Sequence, residues 1–296
     1  MLARVTLGLA LAVAGCSSAP AASPRRAGER AVLDGMGRTV RLPAAVARVV
    51  SLAPSSTEIL WAVGAGPLVV GLDRYSDWPP ETARIERVGA DLDPSLERIV
   101  ALRPDVVFTA RTANNQRTVE ALERAGLSVY VSHAERLDAI FDDVERIAAA
   151  VGRAAQGRAL AASLRARRDA VVARTAKQPR VKAAVVVWSE PLIVAGPGSQ
   201  VDEALADAGG ENVAADAAPG YPSFSAERLI ARAPEVVFVG THANGETDPA
   251  RAFAAKLPTL PAVRAGRVLP IDGDLLFRPG PRIVEALERL ARGLHP

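Results

Sequence analysis

The chain has 296 residues, of which 49% are hydrophobic, enough for the cores of two ordinary domains. Its 36 basic and 33 acidic residues leave a net charge of +3. The basic residues are scattered and no basic patch is interleaved with aromatics, which excludes a nucleic-acid surface.

Residues 1–14 carry one basic residue, Arg4, and then an apolar run, 5–14. The run is too short to span a bilayer and reads as a secretory signal, residues 1–15. It ends in Val13-Ala14-Gly15-Cys16, which resembles the bacterial lipobox. That resemblance implies lipidation of Cys16, the one cysteine of the chain. Residues 17–30 are small and polar and read as a flexible tether. Residues 32–41 read as an edge hairpin turned by Asp34-Gly35, so tether and hairpin together occupy 16–45.

From residue 46 strands and helices alternate, the pattern of an α/β fold. A buried strand, 46–52, runs through a polar turn into a helix over 59–63 that stops at Gly64. Ser55 or Ser56 is expected to cap that helix. The turn lacks the glycine pattern of a dinucleotide site. A strand over 68–72 leads into the loop Arg74-Tyr75-Ser76-Asp77-Trp78-Pro79-Pro80, where two aromatics sit among charges and prolines. Further helices are expected at 118–125 and 137–151, with a strand at 127–131 between them.

Residues 154–176 hold one glycine, no proline and many Ala, Leu and Arg residues, and form a long helix of roughly 34 Å. Leu160, Leu164 and Val171 fall on one face of it. Similar sequence flanks this helix. Residues 96–108 and 226–238 are identical at seven of thirteen positions, including Glu97 and Glu227. Each copy follows a serine, Ser95 or Ser225, and each pairs a short helix with a β-branched run after a proline. Two copies around one helix suit two similar lobes: 46–152, a connector over 153–177, and 178–296. In the second lobe strands are expected at 182–188 and 192–194, and helices at 201–208 and 283–294. Two more loops carry aromatics: 219–224 with Tyr221 and Phe224, and 272–282 with Asp274 and Phe277.

Residues 96–108, the loop 75–80 and Pro281-Arg282-Ile283 together closely resemble the periplasmic cobalamin-binding proteins of ABC importers. These belong to a helix-linked class that also serves haem and ferric siderophores. The resemblance runs from about residue 46 to the end of the chain. It implies two α/β lobes with mostly parallel sheets, one long connecting helix and a ligand cleft between the lobes. It implies that Tyr75 packs on the corrin, that Tyr221 takes the place of a tryptophan, and that Asp274 lies beside the ligand. Asp91 and Ala110 occupy the positions of two further tryptophans. Trp78, Phe224 and Phe277 can offer additional flat rings. Glu97 and Glu227 are expected to dock a monomeric binding protein on the permease dimer, which works with ATPase subunits. Haem is the alternative ligand, with Tyr75, Tyr221 or His242 as axial ligand; a ferric siderophore is another. A secreted hydrolase is the remote alternative. His133, His242 and His295 lie in no triad context and read as surface or loop residues, G-x-S-x-G is absent, and no closed metal site is expected.

Overall fold

The computed structural model describes residues 28–90, 92–111, 115–241 and 248–296. Cys16, Asp91 and His242 lie outside the described residues.

The described chain opens on the expected hairpin. Strands β1 (Glu29–Leu33) and β2 (Thr39–Pro43) pair antiparallel. The Asp34 carboxylate accepts the backbone N–H groups of Met36 and Arg38 at 2.9 and 2.8 Å, which closes the turn. Val40 and Leu42 are buried, so the hairpin lies against the first lobe.

The first lobe comprises β3 (Val49–Ser51), α1 (Pro54–Ala62), β4 (Val69–Leu72), α2 (Leu96–Ala101), β5 (Val106–Ala110), α3 (Gln116–Arg124), β6 (Val129–Ser132) and α4 (Leu137–Ala150). Its sheet runs β4-β3-β5-β6 with every pairing parallel. Helix α1 starts earlier than the sequence suggests. Pro54 occupies the first helical position and Ala53 is the N-cap, with no side-chain cap bond. Ser55 and Ser56 are buried inside the first turn, so neither caps the helix.

The connecting helix α5 (Ala154–Thr175) follows directly. Its buried face is Gly157, Ala161, Leu164, Val171 and Thr175; Leu160 is only half-buried. A Cβ at Gly157 would collide with Ala148 Cβ, so glycine lets α4 and α5 approach closely.

The second lobe comprises β7 (Val181–Ser189), β8 (Leu192–Val194), α6 (Gln200–Asp207), β9 (Gly210–Asn212), α7 (Ala226–Arg232), β10 (Val236–Thr241), α8 (Pro249–Lys256), α9 (Pro261–Arg264), β11 (Val268–Asp272), α10 (Gly273–Phe277) and α11 (Ile283–Leu294). Its sheet runs β11-β10-β7-β8, with β9 also on β7; only β8 is antiparallel.

The strands are apolar on both faces, as sheets covered on both sides require. Val49, Val106, Phe108, Val185 and Phe238 belong to one continuous core with α4, α5, α6 and α11. That core crosses from one lobe to the other. Val50, Val107 and Val129 face a separate outer cluster in the first lobe; Ala184, Val186, Val237 and Val239 do so in the second. The two sequence copies adopt one design. Ser95 Oγ accepts Arg98 N–H at 3.4 Å, and Ser225 Oγ accepts Arg228 N–H at 3.1 Å. Each helix is followed by a residue at positive φ, Arg103 or Ala233, before its proline. Asp105 N–H then donates to Arg48 O, and Glu235 N–H to Lys182 O, both at 2.8 Å.

Candidate functional site: the cleft between the lobes

The carboxyl ends of the parallel strands in each lobe carry the loops that meet between the lobes, the usual ligand position in α/β folds. At their junction a carboxylate of the first lobe meets two arginines of the second. Glu58, on α1, has a side chain only 3% exposed. Arg282, just before α11, donates Nε–H to its Oε2 at 2.9 Å and Nη2–H to its Oε1 at 2.5 Å. Arg278 stands 3.7 Å from the same carboxylate. It also bridges Asp77 of the 74–80 loop at 2.7 Å and Asp274 at 2.9 Å. Burial pushes the Glu58 carboxyl above its ordinary range, while the Arg282 hydrogen bond and the charges of Arg282 and Arg278 pull it down. Burial by itself would depress both guanidiniums, yet their carboxylate partners hold them above the ordinary arginine value. Two guanidiniums are thus shared among three carboxylates.

The 74–80 loop is tied to the sheet and to α1 by hydrogen bonds. Thr57 Oγ1, on α1, sits 2.9 Å from Ser51 Oγ and 2.8 Å from Ser76 Oγ. Ser76 Oγ–H donates to Asp73, and Arg87 donates to the carbonyls of Asp73 and Ser76 at 3.0 and 2.7 Å. On this frame Tyr75 is 56% exposed and Trp78 45% exposed. Trp78 carries the Arg282 guanidinium 4.9 Å from its ring centre, a cation–π contact across the lobes. Glu58, Trp61, Trp78, Pro79, Pro281 and Arg282 line a recess of about 260 Å³. This is below the ~300–1,000 Å³ of ordinary ligand pockets, so the recess is a seam between the lobes.

From the second lobe Tyr221 contributes a ring 40% exposed. It packs edge-on against Phe277 at 6.3 Å between centres. Burial raises its phenol well above the usual tyrosine range; a hydrogen bond with Gln200 acts the other way. Asp274 is half-buried beside Arg278, and burial raises its carboxyl while Arg278 lowers it.

Phe224 does not join this surface. It is 7% exposed, packs in the outer core of the second lobe and lies under the Arg228 guanidinium at 4.7 Å. The cause is strand-like alternation beside β8: Phe224 N–H donates to Leu192 O, and successive side chains turn opposite ways. Tyr221 and Ser223 therefore face out and Phe224 faces in. Sequence reasoning assigned no role to Glu58 or Arg278 and used Arg282 only as part of a motif; the Glu58–Arg282 pairing spans 224 positions. It also passed over Trp188, an exposed ring at the end of β7.

Glu97 and Glu227 are both exposed in the first turns of α2 and α7. Among the described residues neither forms an ion pair, and the neighbouring arginines are engaged elsewhere. Arg98 donates to Arg87 O at 3.1 Å and Arg228 pairs with Asp216 at 2.7 Å. Val100 and Ile230, equivalent in the two copies, are exposed one helical turn further on.

Two α/β lobes bound by one helix, with aromatics exposed in the cleft, define a two-lobed ligand-binding protein. The chain belongs to the periplasmic binding protein family, whose model matches residues 49–275. It is 33% identical over 250 residues to the vitamin B12-binding protein of Salmonella typhimurium, covering 84% of this chain and 91% of that one. The crystal structure of the periplasmic vitamin B12 binding protein BtuF of Vibrio cholerae superposes with a TM-score of 0.73 and 31% identity, over 84% of this chain and 96% of that one. The periplasmic heme-binding protein RhuT of Roseiflexus sp. RS-1, in apo form, gives 0.75 and 30%, over 84% and 97%. Among the described residues no helix is long and apolar enough to cross a membrane, and no group of His, Cys, Asp and Glu could hold a metal.

The buried bridge yields a stability prediction. Removing one partner of a buried ion pair typically costs about 3–5 kcal/mol, whereas replacing both by apolar groups costs far less. Arg282→Met is therefore expected to lower urea-unfolding stability by that order. The pair Glu58→Leu with Arg282→Met should recover most of the loss. A single variant as stable as the parent would mean that Glu58 is solvated in solution.

Proposed function

We propose that this protein is the substrate-binding component of an ABC importer and that its cleft captures a corrinoid such as cobalamin. The observation that carries the choice of ligand is the neutralised cleft floor. Arg278 and Arg282 are already committed to Glu58, Asp77 and Asp274. At that floor a flat ligand with carboxylates at its rim, such as haem, or an anionic ferric siderophore, meets arginines that are already paired. A corrinoid, fringed mostly by neutral amides, meets exposed rings and acceptors instead. The vitamin B12-binding relatives support the same reading. Haem remains the second reading, favoured by the likeness to the heme-binding structure.

Parallel calorimetric titrations with cyanocobalamin, haem and a ferric siderophore test the ligand. Cyanocobalamin is expected to bind most tightly. One aromatic ring stacked on a macrocycle is worth on the order of 1–3 kcal/mol. Tyr75→Ala and Tyr221→Ala should each weaken it about tenfold or more. Wild-type affinity in both variants would move the site elsewhere. Preferential haem binding would replace the corrinoid reading.

Delivery requires docking on a permease in the membrane. We assign this role to Glu97 and Glu227, one per lobe, because both are exposed, unpaired with their neighbours and equivalent in the two copies. A two-fold permease would meet them with one basic group per subunit, and an arginine there would bind a carboxylate bidentately. Their simpler role is to complement the helix dipole, at about 0.3–1 kcal/mol each. The double change Glu97→Ala with Glu227→Ala separates the two. It should abolish ligand uptake by cells in which this is the sole binding protein, and leave solution affinity within about twofold. Uptake that survives returns both residues to the dipole role. In the same cells, export and lipid anchoring at Cys16 are read by palmitate labelling, which Cys16→Ser should remove.

A further inference from the structure

The first-lobe sheet sets the register of the segments that leave its carboxyl edge. Ser51 lies opposite Leu72 and Phe108, and Phe108 opposite Tyr130. Three residues beyond each of these come Pro54, Tyr75, Arg111 and His133. Adjacent strands are about 4.8 Å apart, so β4 and β5, the strands that Tyr75 and Arg111 follow, lie roughly 10 Å apart. A macrocycle stacked on Tyr75 has its rim at about that distance.

Arg111 differs from the arginines of the cleft floor. Arg278 and Arg282 are matched by carboxylates, but among the described residues no carboxylate pairs with Arg111, nor with Arg74, whose guanidinium stands 5.8 Å from the Tyr75 ring centre. Arg111 Nη1 lies 3.2 Å from His133 Nε2. A guanidinium only donates, so Nε2 accepts and the imidazole proton belongs on Nδ1. Nδ1 is turned towards Glu135 at 3.9 Å. The backbone is fixed as well, since Arg111 N–H donates to Ser132 O at 2.7 Å. The result is an exposed, oriented guanidinium with donors to spare, at the edge of a cleft whose floor is otherwise neutralised.

We propose that Arg111, positioned by His133, is the residue of this cleft that recognises an oxyanion on the bound macrocycle, namely the single phosphodiester of a corrinoid's nucleotide arm. This rests on the cleft being the macrocycle site. Arg111 is the open cation held in place by a second side chain, His133, whereas Arg74 leans on the Tyr75 ring. A guanidinium takes a phosphate in two parallel hydrogen bonds, which fixes which way the arm points. Carboxylates on a porphyrin offer the same oxyanion chemistry, so the test must tell the two sources apart.

The experiment compares ligands with and without the anionic group, by calorimetry on the purified protein. Cyanocobalamin carries the phosphodiester and dicyanocobinamide lacks the whole nucleotide arm; haem carries carboxylates and its dimethyl ester does not. Arg111→Ala is expected to weaken cyanocobalamin about tenfold, the worth of one charge-assisted contact, and to leave dicyanocobinamide within about twofold. Arg111→Lys should fall between. His133→Ala should lower the ratio of the two affinities in the same direction, which a general loss of folding would not do. Equal weakening of both corrinoids by Arg111→Ala, or weakening of neither, overturns the proposal while leaving the corrinoid reading intact. If the wild-type protein takes haem and not cobalamin, and Arg111→Ala weakens haem but spares the ester, the oxyanion site stands and the corrinoid reading falls. A wild-type protein that binds none of the four ligands contradicts both.

Discussion

The two lobes are held in one relation by the bidentate bridge between Glu58 and Arg282. A buried charge pair is poor evidence of stability, because desolvation offsets much of the attraction. What it supplies is geometry. A carboxylate 3% exposed cannot stay charged without its partner, so arrangements that separate α1 from the start of α11 are disfavoured. Trp78 lies over the same guanidinium, and Arg278 reaches the loop that carries Tyr75. The aromatic surface of the first lobe is thereby tied to the second. The continuous apolar core through α4, α5 and α11 acts in the same sense.

This arrangement explains how the cleft can be both firm and open. The rings of the 74–80 loop are exposed on a segment anchored from behind, through Ser51, Thr57, Ser76 and Arg87. Preorganisation of this kind lowers the entropic cost of binding. The charge arrangement adds selectivity. Three carboxylates around two guanidiniums make the floor an unfavourable seat for an anionic rim, while Arg111 stays open at one edge.

Much of the fold was legible in the sequence, for physical reasons that differ by element. The connector is a long run of helix formers with Gly157 placed where α4 passes closely, and its observed span, Ala154–Thr175, differs from expectation by one residue. The hairpin was carried by Asp34, whose carboxylate closes its own turn. The duplicated segments announced two similar lobes, and their serines cap helices as local chemistry requires. The errors were also local. Ser55 and Ser56 were read as caps, yet Pro54 draws the helix start back to Ala53. Phe224 was read as a cleft ring, but pairing of its backbone with β8 turns it into the core. The electrostatic centre was not legible, since nothing near Glu58 in sequence signals a partner 224 positions away.

The central claim is that the bridge and the shared core fix the lobes, so that ligand enters a nearly finished cleft. Small-angle scattering on the purified protein, with and without saturating cyanocobalamin, tests it most directly. The account predicts a radius of gyration that scarcely changes on binding. A marked compaction with ligand, of the kind given by lobes closing about a flexible hinge, would contradict it.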